Sequence, residues 1–460
     1  MEARTYIAEH RDEFLSALKE WLAIPSVSAD PDREGDVRRS AEWLARHLSE
    51  TGFPTVETWE TAGKPAVFAE WPARDPKAPV VLVYGHHDVQ PVEPRDAWNT
   101  DPFVPEEQGQ RLVGRGSSDD KGQVLFHTLG LRAGLASAGD TAPPVTVKLI
   151  VEGEEESGSP NFAALLEQNR QRLGCDVVVV SDTTMWSADT PSMCVGMRGM
   201  TDCRIDVYGP ETDLHSGSFG GAVPNPASAM ADLLSGMHDS DGRVAVPGFY
   251  DDVVEIDPAE RDMIARLPFD ESRWLRTASS AAPAGEAGYS TLERLWVRPT
   301  AEINGMWGGH TGAGRKTIVP SSAHANVSFR LVPNQEPARV QDRVREYIRA
   351  NLPAGLRSDV EFNGPGVRPC ASDTSSAAVR AARSAMSRAF GTEVLYTREG
   401  GSGPEADIAD ILGAPLVFVA VGLDEDGIHA PNEKVEIPLL LRGAESAAYL
   451  YWELAAALPE

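Results

Sequence analysis

The feature that most constrains this chain is an apolar run, residues 80–84, that ends abruptly in a glycine, two histidines and an aspartate. An unbroken run of this kind is typical of a strand buried on both faces, as in a parallel sheet. Its carboxyl end carries His86, His87 and Asp88, side chains of the types that bind metals. A buried strand followed by an ordinary polar turn would give the same pattern, so the other strands of the chain must decide between the two.

Three more apolar runs, residues 145–151, 176–180 and 415–422, are followed by glutamates, by Asp182 and by His429 respectively. In open α/β sheets the carboxyl edge is where functional sites form, and we expect these side chains to meet there. The glutamates after residues 145–151, Glu154 to Glu156, would repel one another unless cations or protons compensate. A two-metal site with a general base provides that compensation, whereas an acidic solvated turn is the alternative.

Asp119 and Asp120 follow a loop rich in glycine and serine, residues 114–118, and precede an apolar pattern of helical period. Helix capping explains one carboxylate in a first turn, but two adjacent ones exceed that need, so we predict that one of the pair is a ligand. The whole candidate set consists of imidazoles and carboxylates without a thiolate. Such a set suits zinc, manganese or cobalt.

Charge and cysteine content exclude several classes of function. Lys and Arg number 42 against 69 for Asp and Glu, and the net charge of -27 disfavours binding to nucleic acids and to anionic membranes. The four cysteines form no C-x-x-C pair, which argues against a disulfide scaffold and fits a reducing compartment. The first residues are polar and acidic, and no apolar run approaches the roughly 18 residues of a membrane span. We therefore expect a soluble cytoplasmic protein.

A length of 460 residues exceeds that of a usual single domain and predicts two domains. Residues 1–198 and 367–460 alternate helical and strand patterns, beginning with one helix from Ile7 to Leu22, and predict an α/β domain with a mostly parallel sheet flanked by helices. Between them, residues 202–208 and 325–331 alternate polar and apolar side chains, as half-exposed strands do. Residues 199–366 are therefore expected to form an inserted α+β domain.

Five motifs occur in a fixed order: Gly85-His86-x-Asp88-Val89, the GRGSSDDKG stretch that contains Asp119, Glu155-Glu156-Ser157-Gly158-Ser159, Ser181-Asp182, and His429 shortly before Asn432-Glu433-Lys434. Together they resemble the co-catalytic metallopeptidase family of aminoacylases, succinyl-diaminopimelate desuccinylases and carnosinase-type dipeptidases. The resemblance spans most of the chain. The strings from Arg330 to Pro333 and from Arg398 to Ser402 are most similar to the cytosolic nonspecific dipeptidase branch.

The resemblance implies a role for each matching residue. His86 and Asp182 would bind one of two divalent ions, Glu156 and His429 the other, and Asp119 would bridge them. Asp88 would orient His86, and Glu155 would be the general base. His87 occupies the variable position of its motif and is expected to be a neighbour rather than a ligand. The Asp119-Asp120 peptide would be cis, and zinc is the expected metal, with manganese or cobalt as alternatives.

The resemblance further implies that residues 199–366 form a lid and dimerisation domain of a homodimer. His215 would reach the active site of the partner and stabilise the oxyanion. Arg330 would hold the carboxylate of the substrate, with Thr317, Ser402 and Asn304 as further polar contacts. From the residues alone, His215 could equally be a turn residue and Arg330 a surface charge.

The implied reaction is hydrolysis of a dipeptide with a free C-terminal carboxylate. Glu155 would accept a proton from a metal-bridging water, which is the nucleophile, and pass it to the leaving amine. One alternative is an N-acyl-amino-acid amidohydrolase or carboxypeptidase of the same family. An alternative of another class is a catalytically silent binding protein on the same fold.

Overall fold

Helices and strands alternate in the first part of the chain, as their patterns predict. The computed structural model describes residues 2–458. The elements of this part are α1 (Ala3–Glu9), α2 (Arg11–Leu22), α3 (Glu34–Thr51), β1 (Thr55–Trp59), β2 (Ala66–Trp71), β3 (Val80–His86), β4 (Glu106–Gln108), β5 (Arg111–Val113), α4 (Lys121–Ala138), β6 (Thr146–Glu152), α5 (Phe162–Gln168), α6 (Arg170–Leu173), β7 (Val177–Val180), β8 (Thr184–Met185) and β9 (Ser192–Met197).

The middle of the chain follows a different pattern, with longer strands in pairs. Its elements are β10 (Gly199–Tyr208), β11 (Leu214–His215), α7 (Ser216–Phe219), α8 (Pro226–Ser235), α9 (Pro258–Ala265), α10 (Glu271–Thr277), α11 (Thr291–Trp296), β12 (Thr300–Gly308), β13 (Ile318–Val319), β14 (Ser322–Leu331), α12 (Pro337–Asn351) and β15 (Arg357–Phe362).

The last part returns to alternation and ends in a long helix. It comprises β16 (Cys370–Ala371), α13 (Ala377–Phe390), β17 (Leu395–Glu399), α14 (Glu405–Leu412), β18 (Leu416–Phe418), β19 (Gly422–Leu423), β20 (Lys434–Glu436) and α15 (Ile437–Ala457). No helix within the described residues is both long and apolar enough to cross a bilayer.

The chain divides into two compact units. The first contains the chain up to Val195, Ala371–Arg398 and the chain from Gly403 onward, and the second contains Gly196–Cys370 with Glu399–Ser402. The first unit is built on a six-stranded sheet in the order β1-β2-β6-β3-β7-β18. Strands β6, β3, β7 and β18 run parallel, whereas β1 and β2 are antiparallel additions at one edge. The predicted fold class is therefore confirmed.

Parallel pairing brings three strand ends to one edge of this sheet. His86 lies opposite Glu152 in the pairing of β3 with β6, and Tyr84 lies opposite Val180 in the pairing of β3 with β7. Helix α4 packs on β3 and against α15, and almost all of its residues are buried. The edge where β3, β6 and β7 end is thus supported from behind by packed helices.

The second unit is an antiparallel sheet in the order β12-β14-β10-β15, covered by α8 and α12. Burial alternates residue by residue along β10 and β14, which confirms the predicted half-exposed strands. The inward side chains, such as Ile205, Val327 and Phe329, form a core with Leu233 of α8 and Val344 of α12.

Two local predictions differ from the structure. The helix expected from Ile7 to Leu22 is broken at His10, whose Nδ1 bonds to the carbonyl of Tyr6 at 2.8 Å and whose ring stacks on that tyrosine. The apolar run 415–422 forms a strand only over Leu416–Phe418, and the two-residue strand β19 pairs with β8 instead of continuing the large sheet. An apolar run alone does not show at which residue a buried strand stops pairing with the next strand of the sheet.

Candidate metal centre and active site

His86 is the last residue of β3 and lies fully buried where the carboxylates converge. Its Nδ1 lies 3.0 Å from the carbonyl oxygen of Asp88, and its Nε2 lies 2.9 Å from Asp119 Oδ1 and 3.5 Å from Asp182 Oδ2. Burial lowers the pKa of His86, but these carboxylates outweigh it and raise the pKa well above its usual range. One ring nitrogen is held by a carbonyl while the other faces two anions, which is the arrangement of a metal-binding histidine.

Asp119 links two halves of the site. Its Oδ1 contacts His86, while its Oδ2 lies 3.0 Å from Nε2 of His429, which in turn lies 3.2 Å from Glu156 Oε2. The peptide between Asp119 and Asp120 is cis, as the resemblance implies. One half therefore contains His86 and Asp182, the other contains Glu156 and His429, and Asp119 belongs to both.

The donor set fits divalent cations. Ligand atoms of His86, Asp119 and Glu156 lie within 4.8 Å of one another, as do those of His86, Asp120 and Asp182. Oδ1 of Asp120 is buried without a hydrogen-bond partner in the described residues. Burial, reinforced by the neighbouring carboxylates, raises the pKa of Asp182 well above its usual range and raises that of Glu156. Crowded, desolvated carboxylates of this kind are expected where cations complete the site.

The two adjacent glutamates are placed by Asp88. The amide nitrogens of Glu155 and Glu156 donate to the two carboxylate oxygens of Asp88, at 3.3 and 3.1 Å. Oδ1 of Asp88 also lies 3.4 Å from Nδ1 of His86. Burial, with the nearby charges of Glu156 and Asp119, raises the pKa of Glu155 to about 8. A carboxylate with such a pKa can both accept and return a proton near neutral pH.

His87 faces away from this cluster. Its Nε2 contacts the carbonyl of Pro65 at 2.9 Å, and burial lowers its pKa to about 4. It is thus a buried neutral ring beside the wall of the site.

In the second unit, the structure brings Arg330 and Ser402 together. Nη1 of Arg330 donates to Ser402 Oγ at 3.2 Å, and that hydroxyl donates to the carbonyl of Arg198 at 2.6 Å. Burial lowers the pKa of Arg330, and no carboxylate within the described range forms a salt bridge with it. Arg198 is only 8% exposed, and its Nε has no hydrogen-bond partner among the described residues. Two guanidiniums with unused donors suit an anionic ligand.

The remaining predicted contacts lie elsewhere in the second unit. His215 is exposed at the end of β11, where its Nδ1 accepts from the amide of Gly217 at 3.0 Å. Thr317 is exposed, and its carbonyl accepts from Ser216 at 3.1 Å. Asn304 sits at a bulge of β12 and lines a polar cavity of about 410 Å³ together with Asn326. Among the described residues, none of these three side chains forms a hydrogen bond with Arg330 or Ser402.

Sequence reasoning missed several supporting residues. Gln90 Nε2 donates to Glu156 Oε2 at 2.6 Å, and the carboxylate of Glu433 accepts from the amide of Asp119 at 3.1 Å. Arg198 was missed as well, although a lone arginine in the apolar stretch from Met193 to Met200 was a usable signal. Polar residues inside otherwise buried segments need partners, and here the partners belong to the sites.

The fold and these clusters define a class of enzyme that uses metal ions held at the carboxyl edge of a parallel sheet. The sequence profile of Peptidase family M20/M25/M40 matches residues 82–453, and the chain belongs to this family. The family predicted from the motifs is thereby confirmed.

Named relatives agree with that membership. The chain is 31% identical to the Beta-Ala-His dipeptidase of Rattus norvegicus over 98% of this chain and 94% of the relative. It is 30% identical to the Cys-Gly metallodipeptidase DUG1 of Saccharomyces cerevisiae, covering 96% of this chain and 95% of the relative. The structure of the M20 family metallo-carboxypeptidase Sso-CP2 from Sulfolobus solfataricus superposes with a TM-score of 0.80 at 29% identity, over 97% of this chain and 100% of that one.

Proposed function

We propose that this protein is a two-metal-dependent hydrolase that cleaves the peptide bond of dipeptides. The observation that carries the proposal is the placement of Asp119 between His86 and His429, which joins two groups of candidate ligands, with Glu155 in neither group. Relatives of similar length are named as dipeptidases for Beta-Ala-His and Cys-Gly, which supports the substrate class. A catalytically silent binding protein would not need Glu155 in addition to a complete ligand set.

Each residue has a distinct task in this proposal. His86 and Asp182 would hold one ion, Glu156 and His429 the other, and Asp119 both; when bound, the ions polarise the scissile carbonyl and make water more acidic. Glu155 accepts a proton from the attacking water and delivers it to the departing amine. Asp88 keeps His86 and the amides of the two glutamates in place.

Zinc is the metal we propose, with manganese and cobalt as the alternatives, because the donors are imidazoles and carboxylates. Metal analysis of the purified protein should find two ions per chain. His86→Ala should deplete one site, whereas His87→Asn should leave the metal content unchanged, because His87 contacts Pro65 instead of the cluster. Fewer than about one ion per chain, with none that can be loaded, would refute the mechanism.

Arg330 is proposed to bind the C-terminal carboxylate of the substrate, with Ser402, Thr317 and Asn304 as further polar contacts. The desolvated Arg330 and its neighbour Arg198 support this assignment, since Arg330 has no salt bridge to a carboxylate and Nε of Arg198 is buried without a hydrogen-bond partner within the described residues. Arg330→Gln should raise KM for dipeptides far more than for dipeptide amides. Arg204→Gln is the control, because Arg204 is an exposed arginine of the same sheet and pairs with Asp206. It should change neither the KM for dipeptides nor the KM for dipeptide amides.

A substrate panel separates the proposal from its rivals. Dipeptides should be hydrolysed faster than tripeptides and N-acetyl amino acids. Preference for N-acetyl amino acids would indicate an amidohydrolase, and release of C-terminal residues from longer peptides would indicate a carboxypeptidase, an activity named for one structural neighbour. Hydrolysis at background level in metal-replete protein would favour the silent binding protein.

The unit of residues 199–366 is proposed to act as a lid and dimerisation domain, with His215 acting in the active site of a partner. Ile303, Met306 and Trp307 of edge strand β12 are exposed by 46%, 59% and 42%. Large apolar side chains at a sheet edge favour association. Light scattering should give a dimer that Met306→Glu weakens.

We also propose a cytoplasmic location. The four cysteines form no disulfide in the structure, which supports a reducing compartment. Cell fractionation tests this location.

A further inference from the structure

Glu433 is a buried carboxylate for which the proposed reaction has no use. It precedes β20 and is fully buried. Its Oε1 accepts from the amides of Ser118 and Asp119 at 2.9 and 3.1 Å. Its Oε2 accepts from the amide of Gly116 at 2.8 Å and from Nη1 of Arg115 at 2.9 Å. A buried carboxylate with four donors is a fixed anchor, because removing any acceptor leaves a desolvated donor unpaired.

All four donors belong to the short loop that ends in Asp119. The backbone of Glu433 adds a fifth bond, since its carbonyl accepts from the amide of Gly114 at 3.0 Å. The guanidinium of Arg115, itself 1% exposed, also donates to the carbonyls of Pro91 and Ala430. The loop is therefore wrapped around one side chain, and the position of Asp119 depends on it.

Glu433 also belongs to the segment that carries His429. The pairing of Lys434 with Val113 in β20 and β5 fixes the end of this segment, and Asp426 accepts from Ser118 Oγ at 3.0 Å. The loop of Asp119 and the loop of His429 are thus joined through Glu433, with Oδ2 of the aspartate 3.0 Å from Nε2 of the histidine. His86 and the strand before Asp182 are held separately, by the pairing of β3 with β7.

We infer that Glu433 is a positioning residue that sets the affinity of one of the two metal sites. It holds Asp119 and His429 at the separation that an ion bound by Asp119, Glu156 and His429 requires. The other ion shares Asp119 but keeps His86 and Asp182, which the pairing of β3 with β7 holds independently of Glu433, so it depends on Glu433 much less. This inference rests on the proposed two-metal function and adds a residue that acts through the ligands without touching the ions.

The test uses Glu433→Gln, which keeps the size of the side chain but replaces one acceptor by a donor and leaves Arg115 without its charge partner. Metal-free protein is titrated with zinc in competition with a chromophoric chelator, which resolves two affinities. Wild type should bind two ions. In Glu433→Gln one affinity should fall about 10- to 100-fold, the usual effect of losing a partner of a metal ligand, while the other changes much less. Glu433→Asp keeps the charge, so its affinity at the affected site should lie between those of the wild type and Glu433→Gln.

Two backgrounds assign the affected site. In His429→Ala, which already lacks that site, Glu433→Gln should change the affinity of the remaining ion much less. In Asp182→Asn it should weaken the remaining ion, because that ion is the one whose ligands, Asp119 and His429, Glu433 positions. Glu286→Gln is the matched structural control: Glu286 is a buried partner of Arg298 in the second unit, at 2.8 Å, and its loss should leave both affinities intact.

Several results would overturn the inference. If wild type binds two ions and both Glu433 variants bind them with unchanged affinity, the inference fails while the proposed function stands. If both affinities fall in parallel, or if Glu286→Gln produces the same loss, the effect is general destabilisation. If Glu433→Gln does not fold, a normal zinc titration of folded Glu433→Asp decides against the inference. If wild type binds no metal, the inference and the proposed function fail together.

Discussion

Two aspartates, Asp119 and Asp88, each hold two parts of the site in place. Asp119 places one oxygen beside His86 and the other beside His429, so a single side chain relates the two clusters. Asp88 accepts from the amides of Glu155 and Glu156 and lies beside His86, so the base and the ligand are fixed by a common anchor. Each carboxylate uses both of its oxygens, and replacement by an amide would change a contact on one side only.

Glu155 can be tested with a change that keeps its shape. Glu155→Gln should lower kcat about 100- to 10,000-fold, because a general base contributes on that order and an amide cannot accept the proton. The zinc content should stay at the wild-type value. Steady-state kinetics together with metal analysis measure both.

Glu154→Gln is the neighbouring control. Glu154 is buried and bonded to Asn161 at 3.0 Å, away from the ligands. Its replacement should leave kcat nearly unchanged. Equal losses in the two variants would show that the acidic turn as a whole, and not a base at position 155, supports activity.

His127 predicts a pH dependence of stability. It is buried between Tyr451 and Ser181, at 3.0 and 2.7 Å, and burial lowers its pKa to about 3. Below its usual pKa the unfolded chain takes up a proton that the folded chain does not. The free energy of unfolding should therefore fall, by up to about 1.4 kcal/mol per pH unit, as pH drops from about 6.5 toward the folded value.

His127→Gln removes this contribution. Urea denaturation of both metal-free proteins between pH 7 and pH 4, in steps of about one unit, should show the wild type losing stability faster than the variant. The contributions of all other titrating groups cancel in the difference between the two free energies of unfolding. A constant difference across the range would mean that His127 becomes protonated in the folded protein.

Among the elements, α4 and α15 pack closely against each other. An added Cβ at Gly130 would meet the carbonyl of Ala444 at 2.5 Å and the Cβ of Ala447 at 2.6 Å. The missing side chain lets the two backbones approach, and this holds α4, whose first turn follows Asp119, against the rest of the first unit. The element that supports the metal loop is therefore fixed by close backbone contact.

Gly130→Ala should lower the free energy of unfolding by about 1 to 3 kcal/mol, because overpacking forces the helices apart. Chemical denaturation monitored by circular dichroism measures it. Gly35→Ala in α3 is the matched control, since nothing lies within 4 Å of its added Cβ. There the same change should raise the free energy of unfolding by less than about 1 kcal/mol. Equal losses at both positions would rule out the packing argument.

For the molecule as a whole, metal removal should be destabilising. Asp119, Glu156 and Asp182 crowd a desolvated edge in a chain of net charge -27, and bound cations relieve that repulsion. Each ion that binds only the folded state adds about 4 kcal/mol when its free concentration is about 1000 times its Kd. Calorimetry with and without chelator should show a lower Tm without metal. In His86→Ala the chelator should lower the Tm by less than in the wild type. An equal decrease in both proteins would mean that the ions bind elsewhere.

Sequence reasoning identified the candidate ligands more fully than their supports. His86, Asp182 and Glu156 lie at or shortly after the ends of buried strands, and few residue types bind metals, so pattern and chemistry together brought them into the candidate set. The role of Glu433 depends on four donors from a distant loop, and that of Arg198 on a hydroxyl, Ser402, far along the chain. Contacts of this kind depend on tertiary packing, which a single chain pattern does not encode.

The first unit is discontinuous along the chain, and this has a consequence for its synthesis. A ribosome releases His86, Asp119, Glu156 and Asp182 long before β18, His429 and Glu433, because the whole second unit is made in between. During that interval the acidic edge has neither its last histidine nor the anchor of its central loop. Under the proposed two-metal function, nascent chains would thus hold an incomplete set of ligands, and only a chain translated past Glu433 could retain both ions.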